Sequence, residues 1–229
     1  MRWADLDSLN HVNNVVYLDY AAESRALLIE DGTVPGGPIA QMSVTFLRPL
    51  LLSREPVLVI STKDGETLTQ EICTGQDAER TVFARITTEF GSPDQIAQHQ
   101  TPGASLPSRI RRSDLDGTGA VTPTKLFELF QEGRILFISD RLTSMSPGRF
   151  VVARVDVTLG APISWRAEPY DMRGWVSRIG DSSVTVESEL SDGTSVLARA
   201  TSTLVGFDLP TQKSRRLSEQ EKAEFGPVG

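Results

Sequence analysis

A short segment near the start of the chain combines the residue types that can activate water beside a carbonyl group. Residues 2–17 read RWADLDSLNHVNNVVY and contain Asp5, Asp7, Asn13 and His11, one of only two histidines among 229 residues. The segment leads into a predicted helix, and a helix N-terminus presents unpaired N–H groups and a partial positive charge. A carboxylate or an imidazole there can take a proton from water while N–H donors polarise a carbonyl.

The pattern returns in a weaker form in the second half of the chain. Five residues recur at a constant offset of 109: Arg2, Asp5, Asp7, Glu23 and Arg25 match Arg111, Asp114, Asp116, Glu132 and Arg134. Later segments match at offsets of 113 and 114, for example Val44-Thr45 with Val157-Thr158 and Ala84-Arg85 with Ala198-Arg199. The chain is therefore predicted to hold two halves of one plan, joined by a polar linker with several Pro and Gly near residues 91–108.

The bulk properties exclude some function classes. A net charge of −7 argues against nucleic acid or an anionic membrane as the main partner, although a small anionic ligand needs only a local basic patch. The single Cys73 excludes an internal disulfide and fits a reducing compartment. No apolar run is long enough for a membrane span, so we expect a cytoplasmic protein.

The first half is predicted to be one helix followed by strands. The helix runs from Val15 to about Glu30, with Asn13 or Asn14 as its cap. Its apolar face is predicted to carry Val12, Val16, Tyr20, Leu27 and Leu28. Strand patterns follow at residues 40–48, 57–63, 67–74 and 81–90.

The second half repeats this order. Its helix is predicted over residues 123–142, with Thr122 as N-cap and Pro123 at the first helical position. The buried stripe of this helix is predicted to be Leu126, Phe127, Phe130, Arg134, Phe137 and Ile138. Strands are predicted at 151–159, 170–179, 183–190 and 195–207, with a tight turn at Asp192-Gly193. A capping-box pattern from Ser218 to Glu221 predicts a short helix in the tail.

The motif Asp-Leu-Asp-x-x-x-His-Val-Asn-Asn-x-x-Tyr, followed by Glu23-Ser24-Arg25, resembles the hotdog-fold thioesterases of the 4-hydroxybenzoyl-CoA thioesterase type. It is also similar to the catalytic stretch of acyl-ACP thioesterases, which are tandem hotdogs. In the second half, WVSRIGDSSVTVE and LARATSTLVGFD resemble the same family.

The resemblance implies an α+β fold, a double hotdog in which each half is a curled antiparallel sheet around a long central helix. The expected domains are a first hotdog at 1–91, a linker at 92–108, a second hotdog at 109–209 and a polar tail at 210–229. The two sheets are expected to join edge to edge, with acyl thioester sites at the seam near the helix N-termini. The family's first strand is expected to be short in the first half and to be supplied by residues 108–112 in the second.

The resemblance also assigns roles at the candidate site. Asp7 matches the family's catalytic carboxylate and is expected to act as general base or nucleophile, the alternative being a turn aspartate. His11 and Asn13 are expected to orient water or the thioester, although either can instead serve its own loop or cap the helix. The N–H groups of Val15 and Val16 are the expected oxyanion donors.

In the second half, Asp116 is retained, but His11 aligns with Ala120 and Asn13 with Thr122. The second site is therefore either lost or a weaker site around Asp116, and we expect one competent site per chain. Asp5 and Asp114 are expected to be structural, and Glu23 and Glu132 to pair with nearby arginines.

The expected function is hydrolysis of a fatty or aromatic acyl-CoA without a metal or organic cofactor. The alternatives are an acyl-ACP thioesterase and a non-catalytic acyl-CoA-binding protein, with a hotdog dehydratase ranked last. Two double-hotdog chains are expected to be able to form a homodimer.

Overall fold

The computed structural model describes residues 1–7, 10–99, 105–142 and 149–226. Within it the chain forms two compact units, Met1–Pro93 and Asp94–Gly229. Each unit contains one long helix and an antiparallel sheet, as described below. None of the helices in the described ranges is long and apolar enough to cross a membrane.

The first unit carries its helix ahead of a four-stranded sheet. A 3-10 turn, Trp3–Asp5, precedes the helix α1, Val16–Glu30. The strands are β1 Ile39–Phe46, β2 Leu58–Asp64, β3 Thr67–Thr74 and β4 Thr81–Phe90. They pair antiparallel in the order β2-β3-β4-β1.

The second unit repeats this order with additions. A 3-10 turn, Arg112–Asp114, precedes the helix α2, Pro123–Arg141. The strands are β5 Ser105–Ser108, β6 Phe150–Leu159, β7 Tyr170–Ile179, β8 Ser183–Ser191, β9 Val196–Asp208 and β10 Lys213–Ser214. The sheet order is β6-β9-β8-β7-β5, with β10 paired to β9, and a last helix, α3, spans Glu219–Phe225.

Helix α2 confirms the sequence-based prediction in detail. Thr122 caps it by accepting a hydrogen bond from the Lys125 N–H at 3.3 Å, and Pro123 occupies its first turn. All six predicted stripe residues are buried, together with Thr124 and Gly133. Phe137 and Ile138 pack with Leu142 and with apolar residues of β7, β8, β9 and α3 in one core cluster.

Helix α1 begins within one residue of its predicted start but buries a different face. Its buried residues are Tyr17, Leu18, Ala21 and Arg25, whereas Leu27 is 57% exposed. Apolar residues lie all around this helix, so the apolar pattern does not define a single face. The predicted face is correct for Val12, which is buried, and for Leu28, which packs against a core cluster, but it missed Ala21 and Arg25, which supply half of the buried stripe.

The stretch before the second unit's loop also differs from expectation. Its first strand is β5, Ser105–Ser108, rather than residues 108–112, and it pairs with β7. Ile96 forms a bridge with Val196, so part of the predicted linker packs on the second unit. The predicted tail helix is confirmed: Ser218 Oγ accepts from the Glu221 N–H at 3.1 Å, and the Glu221 carboxylate accepts from the Ser218 N–H at 2.8 Å.

Candidate active site

The Asp7 loop is a tight turn closed by main-chain hydrogen bonds. The Asp7 N–H donates to the His11 carbonyl at 2.8 Å, and the His11 N–H donates to Asp7 Oδ1 at 3.1 Å. Asn10, at the tip, has a φ of 58° and donates its N–H to the Asp7 carbonyl. The Asp7 carboxylate is thus fixed by the backbone of the loop it belongs to, directly before α1.

Two buried contacts attach this loop to the unit. The Val12 N–H donates to the Leu50 carbonyl at 2.8 Å, and the Leu50 N–H donates to the Tyr17 hydroxyl oxygen at 3.0 Å. Burial raises the pKa of Tyr17 to about 12, and the nearby Asp7 charge acts in the same direction. Tyr17 therefore stays a neutral hydroxyl at physiological pH. Tyr17 is the last residue of the sequence motif. Its place in that motif, ten positions after Asp7, was the signal in the sequence that could have predicted this anchoring role.

Asn13 binds the backbone just before helix α1, whose N-cap position is Val15 without a side-chain cap bond, and this changes the assignment of the oxyanion donors. Its side-chain Oδ1 accepts from the Val15 N–H at 3.1 Å, and its carbonyl accepts from the Val16 N–H at 2.9 Å. The two amides expected to bind a developing oxyanion are therefore both occupied. A cap side chain competes for the first free amides of a helix, and the spacing of residues does not show which amides it takes.

Other donors remain at the same place. Among the described residues, the Asn14 N–H and the Asn13 side-chain NH₂ have no hydrogen-bond acceptor. The His11 ring is half-buried and likewise has no partner within the described part of the chain. The site thus combines a held carboxylate, an imidazole and spare N–H donors at a helix N-terminus.

The Asp116 loop repeats this backbone. The Asp116 N–H donates to the Ala120 carbonyl at 2.8 Å, and the Ala120 N–H donates to Asp116 Oδ1 at 3.2 Å. Gly119, with a φ of 85°, stands where Asn10 stands, and the Val121 N–H donates to the Ile163 carbonyl as Val12 does to Leu50. Structure and sequence therefore agree that this loop occurs twice.

The second carboxylate accepts further hydrogen bonds within its own loop. Asp116 Oδ1 accepts from the Thr118 hydroxyl at 2.6 Å and from the Thr118 N–H at 2.8 Å. These bonds lower the pKa of Asp116, the Thr118 hydroxyl having the largest effect. A carboxylate whose charge is already satisfied by its own loop is a weaker base.

Asp5 and Asp114, the other aspartates of the two motifs, accept hydrogen bonds near their own turns. Asp5 Oδ2 accepts from the Arg2 N–H at 2.6 Å and from the Tyr20 hydroxyl at 2.9 Å, and Asp114 Oδ2 accepts from the Arg111 N–H. Both aspartates close their 3-10 turns, which fits the expected structural role.

The expected pairing of Glu23 and Glu132 with arginines was wrong. Arg25 and Arg134 turn inward instead and donate to the hydroxyls of Thr88 and Ser202, at 3.5 and 3.2 Å. Burial lowers the pKa of both, that of Arg134 to about 10. The long arginine stem packs along the core face of each helix, and this burial directs the guanidinium away from the glutamate two positions earlier.

Within the described ranges, no group of three His, Cys, Asp or Glu side chains is arranged to hold a metal ion. Cys73 is buried and its thiol contacts the Leu58 carbonyl at 3.7 Å, and burial raises its pKa. It lies in β3 as a packed thiol.

Comparison with known proteins points to one group. Residues 1–51, which contain the Asp7 loop and α1, match the family model described as the acyl-ACP thioesterase C-terminal domain. A putative oleoyl thioesterase from Lactobacillus plantarum is similar in structure, with a TM-score of 0.66 and 13% identity over 91% of this chain and 94% of that one. The chain has the hotdog fold.

Two further structures of this fold are acyl-ACP thioesterases. The 12:0-ACP thioesterase from Umbellularia californica has a TM-score of 0.62 and 11% identity, over 90% of this chain and 91% of that one. The acyl-ACP thioesterase from Bacteroides thetaiotaomicron has a TM-score of 0.58 and 10% identity, over 88% and 93%. No curated protein matches the chain. The predicted hotdog fold is confirmed by these structures, and the match of residues 1–51 to the family model agrees with the resemblance of the Asp7 motif.

Proposed function

We propose that this hotdog protein hydrolyses an acyl-CoA to the free acid and CoA at the Asp7 loop. The supporting observation is the Asp7 carboxylate, held by the His11 N–H beside the N-terminus of α1, where the Asn13 side-chain NH₂ and the Asn14 N–H have no acceptor among the described residues. A thioester needs little more than this, because its carbonyl is electrophilic and a thiolate is a good leaving group.

In the first of two routes, Asp7 acts as general base. Water attacks the carbonyl carbon while Asp7 takes its proton, and the carbonyl electron pair moves to the oxygen, where the spare N–H donors bind it. The tetrahedral intermediate re-forms the C=O bond and breaks the C–S bond. The thiolate leaves and receives the proton from Asp7, so the products are the acid and the thiol.

In the second route, Asp7 itself attacks the carbonyl carbon and expels the thiolate, which gives an acyl-aspartate anhydride. Water then attacks the Asp7 carbonyl carbon of this anhydride, the bond from that carbon to the bridging oxygen breaks, the acid leaves with the bridging oxygen, and the water protons go to the acid and the thiolate. His11 is proposed to orient the water in both routes, because its ring lies on the loop that holds the carboxylate. Incorporation of ¹⁸O from labelled water into the Asp7 carboxylate during a single turnover separates the second route from the first.

We propose one competent site per chain. Asp116 already accepts from the Thr118 hydroxyl and lacks a histidine in its loop, since Ala120 takes the place of His11. The two loops are nevertheless copies, which supports the proposal that residues 1–91 and 109–209 are tandem hotdogs. We propose a cytoplasmic location on the grounds of composition and cysteine usage.

The test is thiol release from short, long and aromatic acyl-CoAs by the chain, by Asp7→Asn and by Asp116→Asn. Asp7→Asn is expected to lower kcat/KM by about 10²–10⁴-fold, because it removes the base but keeps an oxygen for the His11 N–H. Asp116→Asn is expected to leave it unchanged. Equal losses in both variants would instead indicate two working sites.

Absence of turnover by the folded protein on every acyl-CoA would contradict the proposal. Binding of acyl-CoA without turnover would then identify a non-catalytic acyl-CoA-binding protein, since the loop would hold the thioester without activating water.

A second candidate is hydrolysis of acyl-ACP, which the family model over residues 1–51 favours. Both carriers present the same thioester to the Asp7 loop, and they differ in what they contact around it. Measuring kcat/KM with the same acyl group on CoA and on ACP decides between them. A higher value for acyl-ACP, lost when exposed arginines near the site are changed to glutamate, would favour this candidate.

A further inference from the structure

The second unit contains a groove that the Asp7 chemistry does not use. It has a volume of about 600 Å³ and lies between α2, the segment 106–111 that includes part of β5, and the loop at Trp165–Ala167. This volume is within the range of small-ligand sites in proteins. All of its lining residues belong to the second unit.

Aliphatic and aromatic side chains form one part of the groove's walls. They include Leu106, Ile110, Leu129, Leu136, Trp165 and Met172. Gly133 contributes to the floor where α2 approaches β7, because a Cβ at this position would lie 2.9 Å from the Met172 Cγ. Leu136 is 50% exposed and Trp165 is 40% exposed, so the groove leaves apolar surface in contact with solvent. An aliphatic chain would remove that surface from water.

Three arginines and one glutamate give the rim a net positive charge. Arg166 is held by the Glu168, Pro169 and Asp192 carbonyls and stacks over Tyr170. Arg109 donates to the Ala167 carbonyl at 2.8 Å. The guanidinium groups of Arg109 and Arg166 therefore already donate hydrogen bonds to main-chain carbonyls and hold the rim in place.

Arg111 is different, because within the described ranges its guanidinium forms neither a hydrogen bond nor an ion pair. Its backbone is fixed by the N–H bond to Asp114 at 2.7 Å, so the exposed side chain starts from a defined point beside the groove. A guanidinium matches a carboxylate through two parallel hydrogen bonds. A ligand with several phosphates would need more uncommitted cations than this rim offers.

We propose that this groove binds a fatty acid, with the alkyl chain along Leu129, Leu136 and Met172 and the carboxylate on Arg111. The ligand class is a single-chain aliphatic carboxylate. The site is separate from the Asp7 loop and does not require that loop to be active, although a fatty acid is also the product of the proposed reaction.

Calorimetric titration of the full chain with sodium dodecanoate, below the concentration at which it aggregates, tests the proposal. We expect saturable 1:1 binding that is weaker for 1-dodecanol, which has the same chain without the charge. Arg111→Ala is expected to weaken dodecanoate binding about tenfold, the scale of one lost charge-assisted hydrogen-bond pair. Arg178→Ala, an exposed arginine on β7 outside the groove, is the matched control and is expected to bind as the unchanged chain does.

Helix α2 offers a matched pair for the apolar wall. Leu136 lines the groove and Ile135 does not, yet they are 50% and 49% exposed. Leu136→Asn is expected to weaken binding, while Ile135→Asn is expected to leave it unchanged. Because both positions are half-exposed, the two variants are expected to have similar melting temperatures, which separates binding from folding.

The proposal is overturned by unsaturable binding, by equal affinity for dodecanoate and dodecanol, by an unaffected Arg111→Ala variant, or by displacement of dodecanoate by CoA alone. Asp7→Asn is expected to bind dodecanoate normally, and loss of binding in that variant would place the ligand at the Asp7 loop instead. The titration contains no thioester, so its outcome does not depend on whether the chain hydrolyses one.

Discussion

The Asp7 and Asp116 loops have one backbone and two sets of side chains. Each is closed by the same pair of hydrogen bonds between the aspartate and the residue four positions later, although that residue is His11 in one loop and Ala120 in the other. The loop therefore does not need an imidazole to fold. The backbone hydrogen bonds of His11 do not explain why a histidine is present, so its ring is available for a chemical role.

Asn13 and Thr122, which precede the two helices, show the same division. Both accept a hydrogen bond with a side-chain oxygen, Asn13 from the Val15 N–H just before α1 at 3.1 Å and Thr122 from the Lys125 N–H in α2 at 3.3 Å. Only Asn13 carries an NH₂ group in addition to that oxygen. At matching positions the two loops hold different side chains on the same backbone. Replacing a residue of one loop by its counterpart from the other is therefore expected to change the chemistry with little change to the fold.

Asn13→Thr is the exchange with the largest expected effect after Asp7→Asn. The threonine keeps a cap oxygen, as Thr122 does in α2, and removes the NH₂ donor that we propose for the oxyanion. We expect kcat to fall by about 10²–10³-fold, the loss seen for one oxyanion donor. Stability is expected to change by less than about 1 kcal/mol.

Thr122→Asn is the control and is expected to leave kcat unchanged. Thiol-release kinetics and chemical denaturation of the same preparations check both variants. An Asn13→Thr enzyme with full kcat would limit Asn13 to its role as a cap.

His11→Ala makes the first loop resemble the second at one position. We expect a kcat/KM loss of about 10²-fold, the lower end for a positioned acid–base group, with the loop retained as it is at Ala120. Ala120→His, the reverse exchange, is expected to give no gain, because Thr118 still satisfies the Asp116 carboxylate. A gain of activity in Ala120→His would show that only the missing histidine separates the two sites.

Local rules allowed much of this architecture to be predicted. Thr122 and Pro123 specify the start of α2 through contacts within one turn, and the Ser218 capping box specifies α3 in the same way. The loop repeat was visible because identical residues recur at a fixed offset. These features depend on neighbours in sequence, so the sequence shows them directly.

The features that were missed depend on tertiary contacts or on competition for donors. Arg25 and Arg134 reach hydroxyls on β4 and β9, which lie 63 and 68 residues away in the chain. Strand β5 contains Pro107 and is recognisable only through its pairing with β7. The amides of Val15 and Val16 looked free because the spacing does not show that Asn13 takes both.

The second unit also differs from the first in carrying the helix α3, and this predicts a difference in acid sensitivity. The buried Glu221 carboxylate accepts from Arg215 and Arg149 at 2.7 Å, and Arg215 has the largest effect in lowering the pKa of Glu221 to about 2. The folded pKa lies below the ordinary value near 4.5, so the stabilisation is present above that pH and is lost as pH falls toward 2.

Glu221→Gln is expected to destabilise the chain by about 2 kcal/mol at pH 7, because two arginines lose their charged partner. The gap between this variant and the unchanged chain is expected to narrow as pH falls below 4.5 and to close near pH 2. Glu219→Gln, whose side chain is 90% exposed on the same helix, is expected to have almost no effect. Urea denaturation at pH 7 and pH 2 measures this, and a gap of unchanged size at pH 2 would mean that Glu221 acts by packing rather than by charge.

The smallest expected effect concerns the tip of the loop. Gly119 has a φ of 85° with no atom within 4 Å of a Cβ built on it, so a substitution there meets backbone strain and no steric clash. Gly119→Ala is expected to lose about 1 kcal/mol of stability, and Gly119→Asn about half of that, because asparagine tolerates the left-handed region best among side-chain-bearing residues.

Asn10 already adopts a φ of 58° at the matching position, which supports that order. Gly117→Ala, in the same loop without a positive φ, is the control and is expected to be neutral. Denaturation midpoints that rank alanine above asparagine at position 119 would show that the tip relaxes to another conformation, and that the two loops share their hydrogen bonds without sharing the geometry of their turns.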